Sequence, residues 1–335
     1  MDFRTVLNTL THGPLYSIAR HRISSEVPLD PVETWTFWTE RRNPITEFVA
    51  RNYPPDFVRR RILGPMLAQD HSVGIESHYD ISNAFYKLFL DKEFMFYSCA
   101  HFLSERETLE DAQRNKAQLI LALLNPKAGD KILDLGCGWG SMLKCIYKVT
   151  GDRNNLLGYT LSKQQLAYIK SEVGLNVSLT NFITVAYEEA SYDKIFSIGA
   201  MEHVRPNEIL SLLQKLYSAL KPGGKLVQQF FSLEKEERPT SMILGQLFFP
   251  GSLLSTHSFH LHAAEQAGFK ITHDLVDDYK PTLRAWYENL VNNMEKAIDL
   301  VGVRIYNKYL SFFPISWRFF KEEEARVHRL VLEKP

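Results

Sequence analysis

Cysteine is scarce in this chain: Cys99, Cys137 and Cys145 are the only three among 335 residues. An odd count with no metal-ligand spacing excludes a closed disulfide framework and points to a reducing compartment, with the cytoplasm as the expected location. Net charge is lacking too. The 39 basic and 39 acidic side chains cancel, so no global field draws the protein to nucleic acid, and an anionic partner would need a local patch. No apolar run approaches the roughly 18 residues that read as a membrane span. Met1–Arg4 carry no charged leader followed by an apolar stretch, so no export signal is expected. Internal repeats and low-complexity tracts are missing. What remains is an ordinary globular composition, 45% hydrophobic and 23% charged. An aromatic share of 12% fits either a large apolar pocket or a plain aromatic core.

Lysine is missing from the start of the chain, where Arg and His supply every basic group before Lys87. Residues 1–75 therefore read as a helical N-terminal extension, cut into short helices by prolines such as Pro14, Pro31, Pro44 and Pro65. Within it, Asp56–Leu63 sets Arg59, Arg60 and Arg61 among large apolar residues. That pattern suits a peripheral membrane contact, or simply a solvated helix face.

Residues 76–335 carry a different pattern. The apolar run Lys131–Leu135 ends in Gly136, Gly138 and Gly140 and leads into helical periodicity, as a strand-to-helix turn that cradles a ligand does. Further strands are expected near Asn155–Thr160, Asn176–Thr180, Asp193–Gly199 and Lys225–Phe231, separated by helices. This alternation predicts an α/β fold with a doubly wound, mostly parallel sheet. Residues 232–257 interrupt it and read as a substrate-covering lid insertion, after which Lys270–Val276 and Val327–Leu332 return to the sheet. A dinucleotide fold would place an acidic residue at the end of the second strand. Here that strand ends in Thr160-Leu161-Ser162, and the glycines lack the third dinucleotide position, so NAD and FAD are not expected.

Glu202 follows the fourth strand, at the C-terminal edge where open α/β sheets bind ligands. It reads as a site carboxylate or as the structural partner of His203 or Arg205. Cys99 reads equally as a site residue or an inert buried thiol, and Tyr287 as a site phenol or a satisfied helix residue. His257, His260 and His262 crowd one segment, yet no acid or Cys pattern accompanies them in sequence, so no metal site is expected.

In combination, His78-Tyr79-Asp80, Tyr97-Ser98-Cys99-Ala100, Asp134–Gly140, Thr160–Gln165, Glu202-His203-Val204 and Thr282–Tyr287 resemble the cyclopropane-fatty-acyl-phospholipid synthase family. The resemblance covers roughly residues 75–335. It implies a class I methyltransferase (Rossmann-like) fold, S-adenosyl-L-methionine (SAM) as cofactor, and transfer of a methyl or methylene group to an unsaturated acyl chain of a lipid. It also implies site roles. Asp134, Gly136, Gly138 and Gly140 would meet the methionine and ribose portion, and Tyr97 and Ser98 would close over the methionine end. Thr160, Leu161 and Gln165 would hold the ribose, and Asn181 and Phe182 stand where the family often has Asp-Tyr near the adenine. Cys99, Glu202 and Tyr287 match the family's positions around a bound bicarbonate that takes up the proton. Where the family typically has His after Lys221-Pro222-Gly223-Gly224, this chain has Gln229, which donates hydrogen bonds but cannot be protonated. That departure keeps three readings open: a cyclopropane-forming enzyme, an N- or C-methyltransferase acting on an amine or isoprenoid, and a non-catalytic SAM- or lipid-binding protein. The partners to expect are a lipid or hydrophobic small molecule, a membrane surface and a second copy of the chain, but not nucleic acid.

Overall fold

The computed structural model describes residues 14–40, 44, 81–234, 247–249 and 253–335. The Arg59–Arg61 stretch, His78-Tyr79-Asp80 and most of the insertion lie outside the described residues. The elements in chain order are α1 (Pro14–Ile23), α2 (Pro31–Thr39), α3 (Asn83–Tyr86), α4 (Leu109–Leu124), β1 (Ile132–Leu135), α5 (Ser141–Thr150), β2 (Leu156–Thr160) and α6 (Lys163–Tyr168). Then come β3 (Val177–Leu179), β4 (Tyr192–Ile198), α7 (Pro206–Ala219), β5 (Leu220–Leu233), α8 (His257–Gln266), β6 (Lys270–Asp277), α9 (Lys280–Asn292), α10 (Met294–Lys321) and β7 (Ala325–Glu333).

The strands form one seven-stranded sheet in the order β3-β2-β1-β4-β5-β7-β6. Pairings among β1 to β5 are parallel, and those of β7 with β5 and β6 are antiparallel. The doubly wound expectation holds, with an antiparallel edge added by the chain's last strand. Both faces are covered, which is why the strands read as continuous apolar runs. Ile132, Phe196, Val227 and Val331 pack with α4 and α5 on one face. Leu133, Ile195, Leu226 and Leu330, one residue along each strand, pack with α7 and α8 on the other. β5 begins at Leu220, earlier than the sequence indicates, because the Lys221–Gly224 turn is spanned by a register shift between Tyr192 and Lys194.

A third cluster lies outside the sheet. Tyr16, Ala19 and Trp38 of α1 and α2 pack with Phe85, Trp286, Tyr309, Leu310 and Phe313 of the later helices and with Phe89 in the turn after α3. Asn307 ties α10 to the N-terminal segment by accepting from Leu29 N (3.0 Å) and donating to Val27 O (3.0 Å). Among the described residues no helix is long and apolar enough to cross a membrane.

Strand order reverses between β1 and β4, which run to the opposite halves of the sheet. A crevice opens at the C-terminal ends of two such strands. The glycine turn leaves β1 at that point, and Gly199 to Glu202 leave β4 beside it.

Candidate active site

A cavity opens in that crevice. Its lining includes Tyr97, Ser98, Asp134, Gly136, Gly138, Thr160, Leu161, Gln165, Asn181 and Phe182. Gly140 is not among the lining residues. It caps α5 with φ +79, and a Cβ there would meet Ile169 Cγ1 at 3.2 Å, so this glycine serves the turn and the helix packing.

The other two glycines differ in kind. A Cβ on Gly136 (φ +93) would stand 2.6 Å from Ala200 Cβ, whereas one on Gly138 (φ +54) would meet nothing within 4 Å. Gly136 lets the two strand ends approach each other, and Gly138 leaves room in the cavity. Asp134 is buried, and burial pushes its carboxyl well above the usual range. A cationic ligand lowers that cost, which fits the sulfonium and ammonium charges of SAM. Thr160 Oγ1 donates to Gln165 Oε1 (2.7 Å), which fixes the amide and leaves its NH₂ for a ligand hydroxyl. Asn181 Oδ1 accepts from Ile183 N (3.0 Å), shaping the turn that brings Phe182 to the wall.

The wall beyond β1 is held by two charged residues that composition and motif do not single out. Asp91 is buried and accepts from Phe94 N (2.6 Å) and Phe96 N (2.8 Å), fixing the Phe94–Phe96 lining segment. Lys116 lies on the buried face of α4, and its Nζ donates to Ser98 Oγ (2.8 Å) and sits 4.0 Å from the Phe96 ring centroid. Burial lowers the Lys116 ammonium to about 7 against the pull of Asp91. The signal was there: a lysine on the apolar stripe of a predicted helix needs a buried partner. Lys116→Met should weaken SAM binding about tenfold by freeing the Ser98 hydroxyl, readable by calorimetry.

Three of the four residues proposed for the chemistry come together. Glu202 lies in a short 3₁₀ turn, Met201–His203, and its Oε2 is buried with no hydrogen-bond partner. Burial raises its carboxyl to about 8. It stands 3.7 Å from a Cβ built on Gly199, a position that also approaches Ser98 and the Tyr97 carbonyl. Neither His203 nor Arg205 neutralises it, as the structural reading of this residue would require. Gln229 is buried on β5, and its Nε2 donates to the Cys99 carbonyl (2.8 Å). Because that carbonyl needs a donor, the other end of the amide is Oε1, which is buried without a partner. The Cys99 thiol is kept protonated by burial and by Asp277, and it donates to the Ala100 carbonyl. Cys99 therefore contributes its backbone oxygen and its bulk, not a thiolate.

Tyr287 is placed elsewhere. Its hydroxyl donates to the Pro31 carbonyl, its ring packs on Trp35 at 4.7 Å, and it lines a separate cleft with Val32 and Arg284. The packing of α9 on α2 sets this geometry. Tyr287→Phe should cost about 1 kcal/mol of stability and leave SAM affinity unchanged, a contrast that thermal melts and calorimetry can read.

On the side away from the sheet, the cavity wall is shared with the aromatic cluster. Tyr97 contacts Tyr86 (5.4 Å), Phe89 (6.0 Å) and Trp286 (5.1 Å) between centroids, and Trp139 contacts Tyr86 (5.0 Å). Phe249, from the insertion, packs on His203 (5.3 Å) and Phe312 (5.8 Å).

A parallel sheet with its ligand crevice at the β1/β4 reversal, a glycine turn without a ribose acid and a buried carboxylate after β4 define a SAM-dependent methyltransferase. The model of the mycolic acid cyclopropane synthetase family matches residues 68–330, and the chain belongs to that family. It is 31% identical over 315 residues to cyclopropane mycolic acid synthase 2 of Mycobacterium leprae, covering 85% of this chain and 99% of that one. A probable fatty acid methyltransferase of Pseudomonas putida is 31% identical over 278 residues, 78% of this chain and 69% of that one. Among solved structures, mycolic acid cyclopropane synthase CmaA1 complexed with SAH and CTAB superposes with TM-score 0.69 at 26% identity, over 79% of this chain and 99% of that one.

Proposed function

We propose that this enzyme methylates the double bond of an unsaturated acyl chain in a lipid, with Glu202 as the proton acceptor. When bound, SAM would supply a sulfonium methyl to the π electrons of an alkene, the S–C bond breaking to leave the neutral thioether on the cofactor and a carbocation on the acyl chain that must lose a proton. The observation that carries the reading is the double role of Tyr97, which lines the cofactor cavity and is embedded in the aromatic cluster. Apolar walls accept an acyl chain and exclude water, and aromatic faces stabilise a cation there. The relatives' names, a fatty acid methyltransferase and a cyclopropane synthase, support the same acceptor.

The proton needs a base. Glu202 Oε2 is an acceptor without a donor, in an environment that raises its affinity for a proton to the neutral range. Proton loss from the new methyl, with its C–H pair closing onto the cation, gives a cyclopropane; loss from a neighbouring carbon gives a methyl-branched alkene. Gln229 donates one N–H to the Cys99 carbonyl and presents an unpartnered oxygen. Unlike a histidine it supplies no proton of its own to a bicarbonate, which supports direct proton transfer to Glu202. An acceptor embedded in a bilayer also requires peripheral contact, for which Arg59, Arg60 and Arg61 are proposed. The test is mass spectrometry of lipids from cells making the protein. Unsaturated acyl chains should gain one CH₂, and chains unchanged beside a methylated soluble amine would overturn the reading.

A further inference from the structure

The histidines outside the methyltransferase cavity assemble with acids that are remote in sequence. His257 opens α8, Asp274 lies on β6, His328 on β7, and Glu234 follows β5. Asp274 is paired with Leu330, two residues along from His328, so the Asp274 and His328 side chains share one face of the antiparallel edge. His257 packs over His328 with centroids 3.5 Å apart and planes at 9°.

The hydrogen bonds fix the tautomer of His328. Its Nε2 is 3.2 Å from Glu234 Oε1, and a carboxylate only accepts, so Nε2 carries the proton. Nδ1 is then a bare lone pair. It is buried without a hydrogen-bond partner and faces Asp274 Oδ1 at 3.5 Å, an acceptor opposite an acceptor. By the same argument His257 Nε2 carries a proton and donates it to the other oxygen, Asp274 Oδ2, at 2.8 Å, and that proton must move to Nδ1 for Nε2 to ligate. Two acceptors face to face, one of them on the buried His328, call for a proton or a metal ion between them.

We infer that His257, Asp274 and His328 bind a divalent transition-metal ion of the zinc class, with Glu234 orienting His328 through its Nε2–H. The ligand atoms of the three residues lie within 4.8 Å of one another. Ligands around a tetrahedral zinc stand about 3.3 Å apart, a contraction within reach of side-chain rotation. Two imidazoles and a carboxylate match zinc's preference, and a metal-bound histidine that donates its second N–H to a carboxylate is the usual outer-shell arrangement. Asp274 is 35% exposed at its side chain and His328 4%, so the ion would enter past Asp274 and lie against a buried floor, with a fourth position left for water. His260 stays outside the set, its ring packed on Phe230 at 4.3 Å.

The position gives the ion a purpose. Glu234 and His257 bracket the insertion read from the sequence as a lid, and Leu233 N donates to Ser255 O (2.9 Å) between its two ends. An ion here would fasten β5, α8, β6 and β7 at the root of that segment, a structural duty that needs no part in methyl transfer.

The test is equilibrium dialysis of metal-stripped, full-length protein against Zn²⁺, with Co²⁺ absorption as an independent report of nitrogen and oxygen ligation. The wild type should take up one equivalent, melt at a higher temperature with Zn²⁺ than without, and show Co²⁺ d–d bands. His257→Ala and the isosteric Asp274→Asn should each weaken binding at least about 100-fold, while His262→Ala, outside the set, should bind as the wild type does. Failure of the wild type to bind, or unchanged binding in either ligand variant, overturns the proposal. So do Co²⁺ spectra dominated by thiolate charge transfer, which would place the ion on a cysteine.

Discussion

Glu202→Gln is expected to lower turnover by roughly 10²–10⁴-fold while SAM affinity stays within about threefold of wild type. The carboxylate has a buried, unpartnered Oε2, and no described cation neutralises it, so its charge is available to a developing cation and its lone pair to a proton. The amide keeps the shape and loses both. The pH profile supplies a second readout. With its carboxyl raised to about 8 by burial, Glu202 is mostly protonated at neutral pH, and the rate should climb with pH through about 8 and then level. In Glu202→Gln this limb should vanish.

Stability should move the opposite way. A carboxyl raised in the fold binds more protons there than in the unfolded chain, so its contribution is favourable at low pH. It is lost as pH rises from about 4.5 to about 8. Glu202→Gln removes that loss, so the variant should melt higher than wild type at pH 9 and show no such gain at pH 4. Equal loss of turnover and SAM binding would instead assign Glu202 to holding the cofactor.

Gly136→Ala is the second large effect. The added methyl would stand 2.6 Å from Ala200 Cβ at a φ of +93, so both the turn and the β4 loop must shift. The expected cost is about 2–4 kcal/mol of stability, with SAM binding reduced beyond about 100-fold because the same backbone forms the cavity floor. Gly138→Ala is the control: it has open space and pays only for its φ of +54, about 1 kcal/mol. Its methyl enters the cavity, so SAM affinity should fall while the melting temperature hardly changes. Calorimetry beside thermal melts separates the two glycines.

The parts of this fold that were legible in the sequence are those written locally. The β1 run and its glycines, the strand–helix alternation, and Thr160 with Gln165 one turn later are each set by neighbours in the chain. The antiparallel placement of β7 between β5 and β6 was not legible, because register across a sheet depends on partners far away in sequence. The same holds for the identity of the buried partner that Lys116 requires, Ser98, which precedes its helix, and for Tyr287, whose hydroxyl goes to Pro31. His257 gives no metal signal among its neighbouring histidines because Asp274 and His328 come from strands distant in sequence. Gly140 looked like a third cradle glycine, and its spacing could not reveal that it faces Ile169.

The central claim is methyl transfer to an acyl double bond. Purified protein, methyl-labelled SAM and vesicles of a monounsaturated phospholipid should put label into the acyl chain, with none entering vesicles of the saturated counterpart or a soluble amine. Label in the amine, or equal label in both lipids, would contradict the account.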